Sequence, residues 1–288
     1  MSVINTNVKS LVAQNSLTIN GRSMSKAMEQ LSTGKRINTA ADDAAGLAIS
    51  NKMTSQIRGL NQAVRNANDA ISMIQTAEGG TVEINNMLQR MRELAVQSAS
   101  DTNSGDDRAF LDLEFKELSE EINRIAEMTQ FNKMDLMTGT IPNGTGSTGL
   151  ATFQVGANNS QTIEMTFLDM TTGTSGTLSS VAWASGSGSF NIATLADAST
   201  AISTIDTAIV AVDEYRAELG AKVNRLTYAI DNLTNVSQNT AAARSRVLDT
   251  DYAQATTELA RTQIIQQAAT AMLAQANQQP QSVLSLLQ

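Results

Sequence analysis

Apolar residues along this chain recur three and four positions apart over long stretches. Ile202, Ile205, Ile209, Val212, Leu219 and Val223 follow that spacing, and Leu226, Ile230 and Leu233 extend it. Ile57, Leu60, Val64, Ala67, Ile71 and Ile74 do the same in the first half, as do Leu111, Phe115, Leu118, Ile122 and Ile125. A repeat of 3.5 residues keeps one stripe of a helix turned toward a partner helix. The pattern predicts long helical rods from both halves of the chain, with something different between them. It speaks of assembly more than of catalysis.

The punctuation sets the elements. Ile4 to about Leu31 reads as a first helix, weakened by Gly21, and Ser32 to Asn38 as a turn around Gly34. Thr39 with Asp42 three residues on resembles a capping box and predicts the start of the next helix. That helix should reach about Ala99. Between Ile74 and Ile84 its seam looks out of phase, a stammer that Gly79-Gly80 would accommodate. Asp101 to Asp106 reads as a polar loop, and Asp107 to Met128 as a helix folding back antiparallel. From Thr138 to Phe190 the chain is rich in Gly, Ser and Thr. There Thr152–Val155 and Ile163–Phe167 alternate like short strands. Helix resumes near Ala193, runs to about Asn239, and passes a junction at Arg244–Asp251 into a final helix ending before Pro280. The fold expected is mainly α with a small β region. Long antiparallel rods from both halves form a hairpin, a β-rich variable tip caps the far end, and both termini share the other end. The expected divisions are 1–40 and 245–288 for the terminal helices, 41–139 and 191–244 for the rod core, and 140–190 for the variable surface region.

Composition narrows the chemistry. Of 288 residues 41% are hydrophobic but only 3% aromatic, which suits helix seams better than a bulky core. There are two prolines, Pro142 and Pro280, so the tracts around Pro142 can stay helical without a break. Cysteine and histidine are both absent. That removes disulfides, thiolate and imidazole metal ligands, and the usual general base near neutral pH. No catalytic, cofactor-binding or metal-binding residue is expected.

The net charge of −8 argues against nucleic-acid binding. Residues 1–40 run the other way, with Lys9, Arg22, Lys26, Lys35 and Arg36 against Glu29 alone. From Gln254 onward the only charges are Glu258 and Arg261, so this tail expects burial. Gln and Thr interrupt it, no run of 18 apolar residues exists, and no membrane insertion is expected. The start, MSVINTNVKS, lacks a charged and then apolar secretory pattern. Ile4, Val8 and Leu11 at one end, with Ile264, Ile265, Met272, Leu273, Val283, Leu284, Leu286 and Leu287 at the other, have no visible core of their own. Helices without tertiary partners are marginal, so these ends are expected to order when another subunit covers them.

Three motifs invite rival readings. Gly144 to Gly149 fits GxGxxG but follows no clear strand and opens no helix. Ser23 and Lys26 fit SxxK without its companion motifs, which leaves an exposed helix face. Asp249-Thr250-Asp251 lacks the Gly and terminal Glu of a calcium loop and reads as a helix cap or salt bridge.

Other stretches are diagnostic in combination. Leu31 to Ser50 reads LSTGKRINTAADDAAGLAIS, Gln89 to Ser98 reads QRMRELAVQS, and Thr129 to Asn132 reads TQFN. Ala243 to Asp251 reads ARSRVLDTD, and the end from Gln267 reads QAATAMLAQANQQPQSVLSLLQ. Together they resemble bacterial flagellin over about 1–140 and 190–288. The resemblance implies a structural subunit, not an enzyme, that polymerises into the extracellular flagellar filament for swimming. The termini would form its inner tube. It also implies export, unfolded, by the flagellar type III apparatus, a chaperone on the C-terminal segment, and cap and hook-junction proteins as partners. By the same resemblance Gln89, Arg90, Glu93, Leu94 and Glu114 would meet the flagellin-sensing Toll-like receptor. Thr171, Thr172, Thr174, Ser175, Ser179, Ser180, Ser185 and Ser187 are candidate O-glycosylation sites. Two alternatives share parts of the pattern: a flagellin-like hook–filament junction protein, and a signalling coiled-coil hairpin, which would lack the β tip.

Overall fold

Helix α2 (Ala44–Ser98) runs 55 residues without interruption. The computed structural model describes residues 7–139, 149–172, 177–178 and 190–285, the last seven of these by backbone only. The other helices are α1 (Val8–Thr33), α3 (Gly105–Met128), α4 (Leu195–Leu248) and α5 (Tyr252–Ser285). Two antiparallel hairpins complete the described structure, β1 (Gln130–Phe131) with β2 (Met134–Asp135) and β3 (Leu150–Gln154) with β4 (Thr162–Thr166). The chain divides into two units, residues 58–237 in one and 1–57 with 238–288 in the other.

In the 58–237 unit one buried stripe of α2 runs through Leu60, Ala63, Ala67, Ala70, Ile74, Ala77, Thr81, Ile84, Leu88, Met91, Ala95 and Ser98, with Met73, Asn85 and Leu94 buried beside it. Steps of three and four alternate throughout, so the expected stammer does not exist. Ala77 and Thr81 carry the seam across the gap. Gly80 has another purpose: a Cβ there would lie 2.9 Å from both Met137 Sδ and Thr129 Oγ1. Its missing side chain admits the β1–β2 hairpin against α2, an element the sequence did not announce.

The seams are also finer-grained than expected. Val64 and Ile71 are half-buried, and Ala63 and Ala70 lie in the core instead. On α3, Ser119 and Ala126 replace Leu118 and Ile125; on α4, Ala201 and Ala208 replace Ile202 and Ile209. A seam position must fit between neighbouring helices. Small residues fit there, and the branched residue one position on covers the seam from its flank.

Polar pairs set the antiparallel register of α2 and α4. Arg92 Nε donates to Asp206 at 2.6 Å, Asn85 Nδ2 to Asp213 at 2.8 Å, and Ser237 Oγ to Asn61 at 2.9 Å. From pair to pair, one number falls by as much as the other rises. Arg108 closes the α2–α3 turn by donating to the carbonyls of Ser98 and Ser100. Helix α3 begins at Gly105, two residues before expectation, because Ser104 and Asp107 form a capping box. The chain enters α4 through Ile192, whose N–H donates to Asp112 and whose carbonyl accepts from Ser98 Oγ. Burial pushes the Asp112 carboxyl up, against that N–H bond.

The β3–β4 hairpin falls on the expected residues but not at the end of the rods. It lies along α2, where Asn66 donates to the Gln154 carbonyl and a Cβ on Gly59 would stand 3.1 Å from Ala157 Cβ. Lys222 on α4 donates to the Glu164 carbonyl. Ile163, Met165 and Phe167 are buried beneath it.

In the other unit α1 and α5 pair antiparallel. Asn7 donates to the Ala276 carbonyl at 2.8 Å and Asn20 to the Thr262 carbonyl at 2.7 Å. Each terminal helix therefore has a partner within the chain, which corrects the expectation that they lack one. The connectors of this unit clasp each other. Arg36 N–H donates to Leu248 at 2.7 Å, its guanidinium to Val247, and Thr250 N–H to Gly34, which caps α1 at φ 69°. Helix α4 runs past Asn239 to Leu248, so the expected junction shrinks to Asp249–Asp251. The α5 backbone continues past Pro280 to Ser285, since a proline weakens a helix without forbidding it.

Thr39 and Asp42 bond to each other as the motif suggests, yet they do not start α2. Asp43 does, its side chain accepting from Gly46 N–H at 2.9 Å. Asp42 instead fixes the turn, accepting from Asn38 and Thr39 and pairing with Lys26 at 2.7 Å. Lys26 foremost, then those N–H groups, hold this carboxyl well below its ordinary 3.8. A depressed folded pKa stabilises above the unfolded value, and the gain fades as pH falls through the folded one. Asp42→Asn should thus be less stable than the parent at neutral pH, with the gap narrowing as pH falls below the ordinary 3.8. Urea unfolding followed by circular dichroism across pH checks this.

Candidate functional site

Two surfaces carry the residues singled out by sequence. The first is on the α1–α5 pair. Among the described residues of these helices the fully buried side chains are small or polar, Asn20, Ala27, Ala255 and Thr262, and Leu17, Met24, Leu31 and Leu259 are half-buried beside them. Other large apolar side chains point out: Val8 is 59% exposed, Ile264 67% and Met272 66%, with Leu11, Val12, Ile19 and Ile265 also exposed. Leu273 is half-buried. Ile4, Leu286 and Leu287, and the side chains of Val283 and Leu284, lie outside the described residues. Val8, Lys9, Val12, Met272, Gln275 and Ala276 are among the residues that line an open groove of about 630 Å³. Water on so much apolar surface is unfavourable by about 25 cal/mol per Å². A further chain would relieve it.

The second surface is the Gln89–Ser98 stretch with α3. Arg90 donates to Glu114 through Nε at 2.9 Å and Nη2 at 2.8 Å, and to Glu93 through Nη1 at 3.0 Å. Glu114 first and Glu93 second raise the guanidinium pKa. All three side chains are exposed, as is Gln89, which donates to Asn85. Leu94 is different. It is 1% exposed and sits in the core rather than on this surface. The exposed apolar residues nearby are Val96, Phe110 and Leu113, which seam counting passed over because they belong to no buried stripe.

The rival motifs resolve into structure. Ser23 Oγ donates to the Ile19 carbonyl of its own helix, and Lys26 faces Asp42. Asp251 caps α5 by accepting from Ala253 N–H at 2.9 Å. Among the described residues no group of three acidic side chains could hold a metal. Residues 144–148 of the glycine motif lie outside the described residues. Of the candidate glycosylation sites, Thr171 and Thr172 are half-buried and bond to Asp169 and Asn123. Thr174, Ser175, Ser179, Ser180, Ser185 and Ser187 lie outside the described residues.

Long helix pairs with a sealed interior, and an apolar face left open on the paired terminal helices, define a helical structural protein built to associate. Two family profiles match the chain, the bacterial flagellin N-terminal helical region over residues 4–141 and the bacterial flagellin C-terminal helical region over 202–287. A flagellin of Halalkalibacterium halodurans is 48% identical over 285 residues, 99% of each chain. A flagellar filament 33 kDa core protein of Treponema phagedenis is 44% identical over 288 residues, again 99% of each. The crystal structure of a Bacillus cereus flagellin is 32% identical, covers 62% of this chain and 94% of its own, and superposes with a TM-score of 0.48. The chain belongs to the bacterial flagellin family. It is a structural subunit of the extracellular flagellar filament, a homopolymer, and not an enzyme.

Proposed function

We propose that the subunit polymerises through the outward apolar faces of α1 and α5, which become the inner tube of the filament. The observation that carries this is the exposure of Val8, Leu11, Ile264 and Met272 on the outward side of these paired helices. The chain reaches its site unfolded through the flagellar type III apparatus, with a chaperone on the C-terminal segment beforehand. It meets junction proteins at the hook and a cap at the tip. The lack of cysteine suits passage between compartments of different redox state. Electron microscopy of the purified chain added to filament seeds tests the reading. Growing filaments are expected; a chain that stays monomeric on competent seeds overturns it.

A second reading is favoured by the exposed Arg90–Glu93–Glu114 cluster: recognition of the monomer by the flagellin-sensing Toll-like receptor. Arg90 presents a planar fork of donors on an accessible helix face. Arginine at an interface centre commonly contributes about 2 kcal/mol, roughly thirtyfold in affinity. Arg90→Ala should raise the half-maximal concentration in a receptor reporter-cell titration by about that factor. An unchanged titration removes the receptor role.

A further inference from the structure

The outer face of α3 holds a stripe that the fold does not use. Asp106, Phe110, Leu113, Glu117, Glu120, Arg124 and Glu127 repeat at four and three along it, opposite the buried stripe of Phe115, Ser119, Ile122 and Ala126. Phe110 is 70% exposed and Leu113 60%. Next to them Glu117 makes no ion pair among the described residues, whereas Glu120, Arg124 and Glu127 have partners on α3 itself. An apolar pair beside an unneutralised carboxylate fits a surface made of an apolar residue beside a free cation.

The chain carries such a surface on the first turns of α2. Ile49 is 48% exposed, and Lys52, three residues on, is exposed and makes no ion pair among the described residues. Residues three apart on a helix share a face. Charge separates in the same sense at larger scale. Residues 58–237 hold 22 acids and 11 bases, net −11, and the remainder holds 6 acids and 9 bases, net +3. Copies of one chain with this division attract through unlike regions and repel through like ones.

We infer that the Phe110–Leu113–Glu117 stripe docks on Ile49 and Lys52 of a second copy of this chain. The apolar residues meet and Glu117 pairs with Lys52. The patches are different, so the contact is heterologous: each copy offers both halves, and repetition yields an open helical polymer rather than a closed dimer. This rests on the filament reading and adds to it a contact away from the terminal helices, one that steers the next copy by charge.

Charge reversal tests the pairing. All five residues are exposed, so circular dichroism of each variant should match the parent. Glu117→Lys and Lys52→Glu are each expected to slow seeded elongation about tenfold, since each sets like charges face to face. The chain carrying both reversals should recover to near the parental rate. Single variants that elongate like the parent overturn the contact, and so does a double variant slowed by both losses together. A parent that fails to extend seeds overturns the underlying filament reading instead, so the two failures are distinguishable.

Discussion

Leu94→Ala is expected to lower the free energy of unfolding by about 2–5 kcal/mol, the range for emptying a leucine site in a closed core. Leu94 is 1% exposed and lies on α2 beside the seam residues Met91 and Ala95. Truncation leaves a void that close-packed neighbours fill only in part. Arg90→Ala, on the exposed face four residues earlier, should leave stability nearly unchanged, because exposed ion pairs contribute little. Urea unfolding of the two single variants separates them. The comparison also guards the receptor experiment. A variant combining both substitutions could lose activity by unfolding, so Arg90 is the residue to change alone. Equal stability of Leu94→Ala and the parent would overturn its burial.

Filament growth should be abolished by replacing Ile264 and Met272 together with aspartate. Both are about two-thirds exposed on α5, and neither supports the α1–α5 pairing, which runs through Asn7, Asn20 and Thr262. Fully burying each original side chain would contribute about 1.5–3 kcal/mol to association, and a carboxylate in its place adds a desolvation cost. The sum exceeds about a hundredfold in the critical concentration for growth. Monomer helicity should survive. Sedimentation after seeding, with electron microscopy of the pellet, reads the result. Normal filaments from this variant would place the subunit contacts elsewhere. Deleting residues 275–288 should have the same outcome, with the 58–237 unit still folded.

The rods were legible because a 3.5-residue repeat survives in the sequence whatever the partner is. Which of two adjacent positions faces inward was not. Ile71 and Ala70, or Ile202 and Ala201, satisfy the same count, and hydrophobicity favours the larger one. Packing decides otherwise, since a seam rewards fit over size. The same bias produced the false stammer, where Ala77 and Thr81 were too inconspicuous to be read as seam. The β1–β2 hairpin was missed because its strands are two residues long and its turn, at Asn132 and Lys133, uses positive φ without glycine. In the recognition stretch, the motif supplied the residue types of Arg90, Glu93 and Glu114. Nothing in one sequence separates the inward Leu94 from its outward neighbours. The partnership of α1 with α5 was less visible, because its seam is thin: buried Asn20, Ala27, Ala255 and Thr262 stand among half-buried Leu17, Met24, Leu31, Leu259 and Leu273.

The steady register of Arg92 with Asp206, Asn85 with Asp213 and Asn61 with Ser237 makes α2 and α4 a matched pair of rulers. Loss of seven residues between Asn61 and Asn85 keeps the helical phase of α2 but moves one set of pairs about 10 Å out of line with α4. The damage is repaired only by an equal loss between Asp213 and Ser237, in a distant part of the gene. Length in this protein is therefore inherited in paired instalments of one heptad. A search for natural chains that differ in rod length should find both helices changed together, and by the same count.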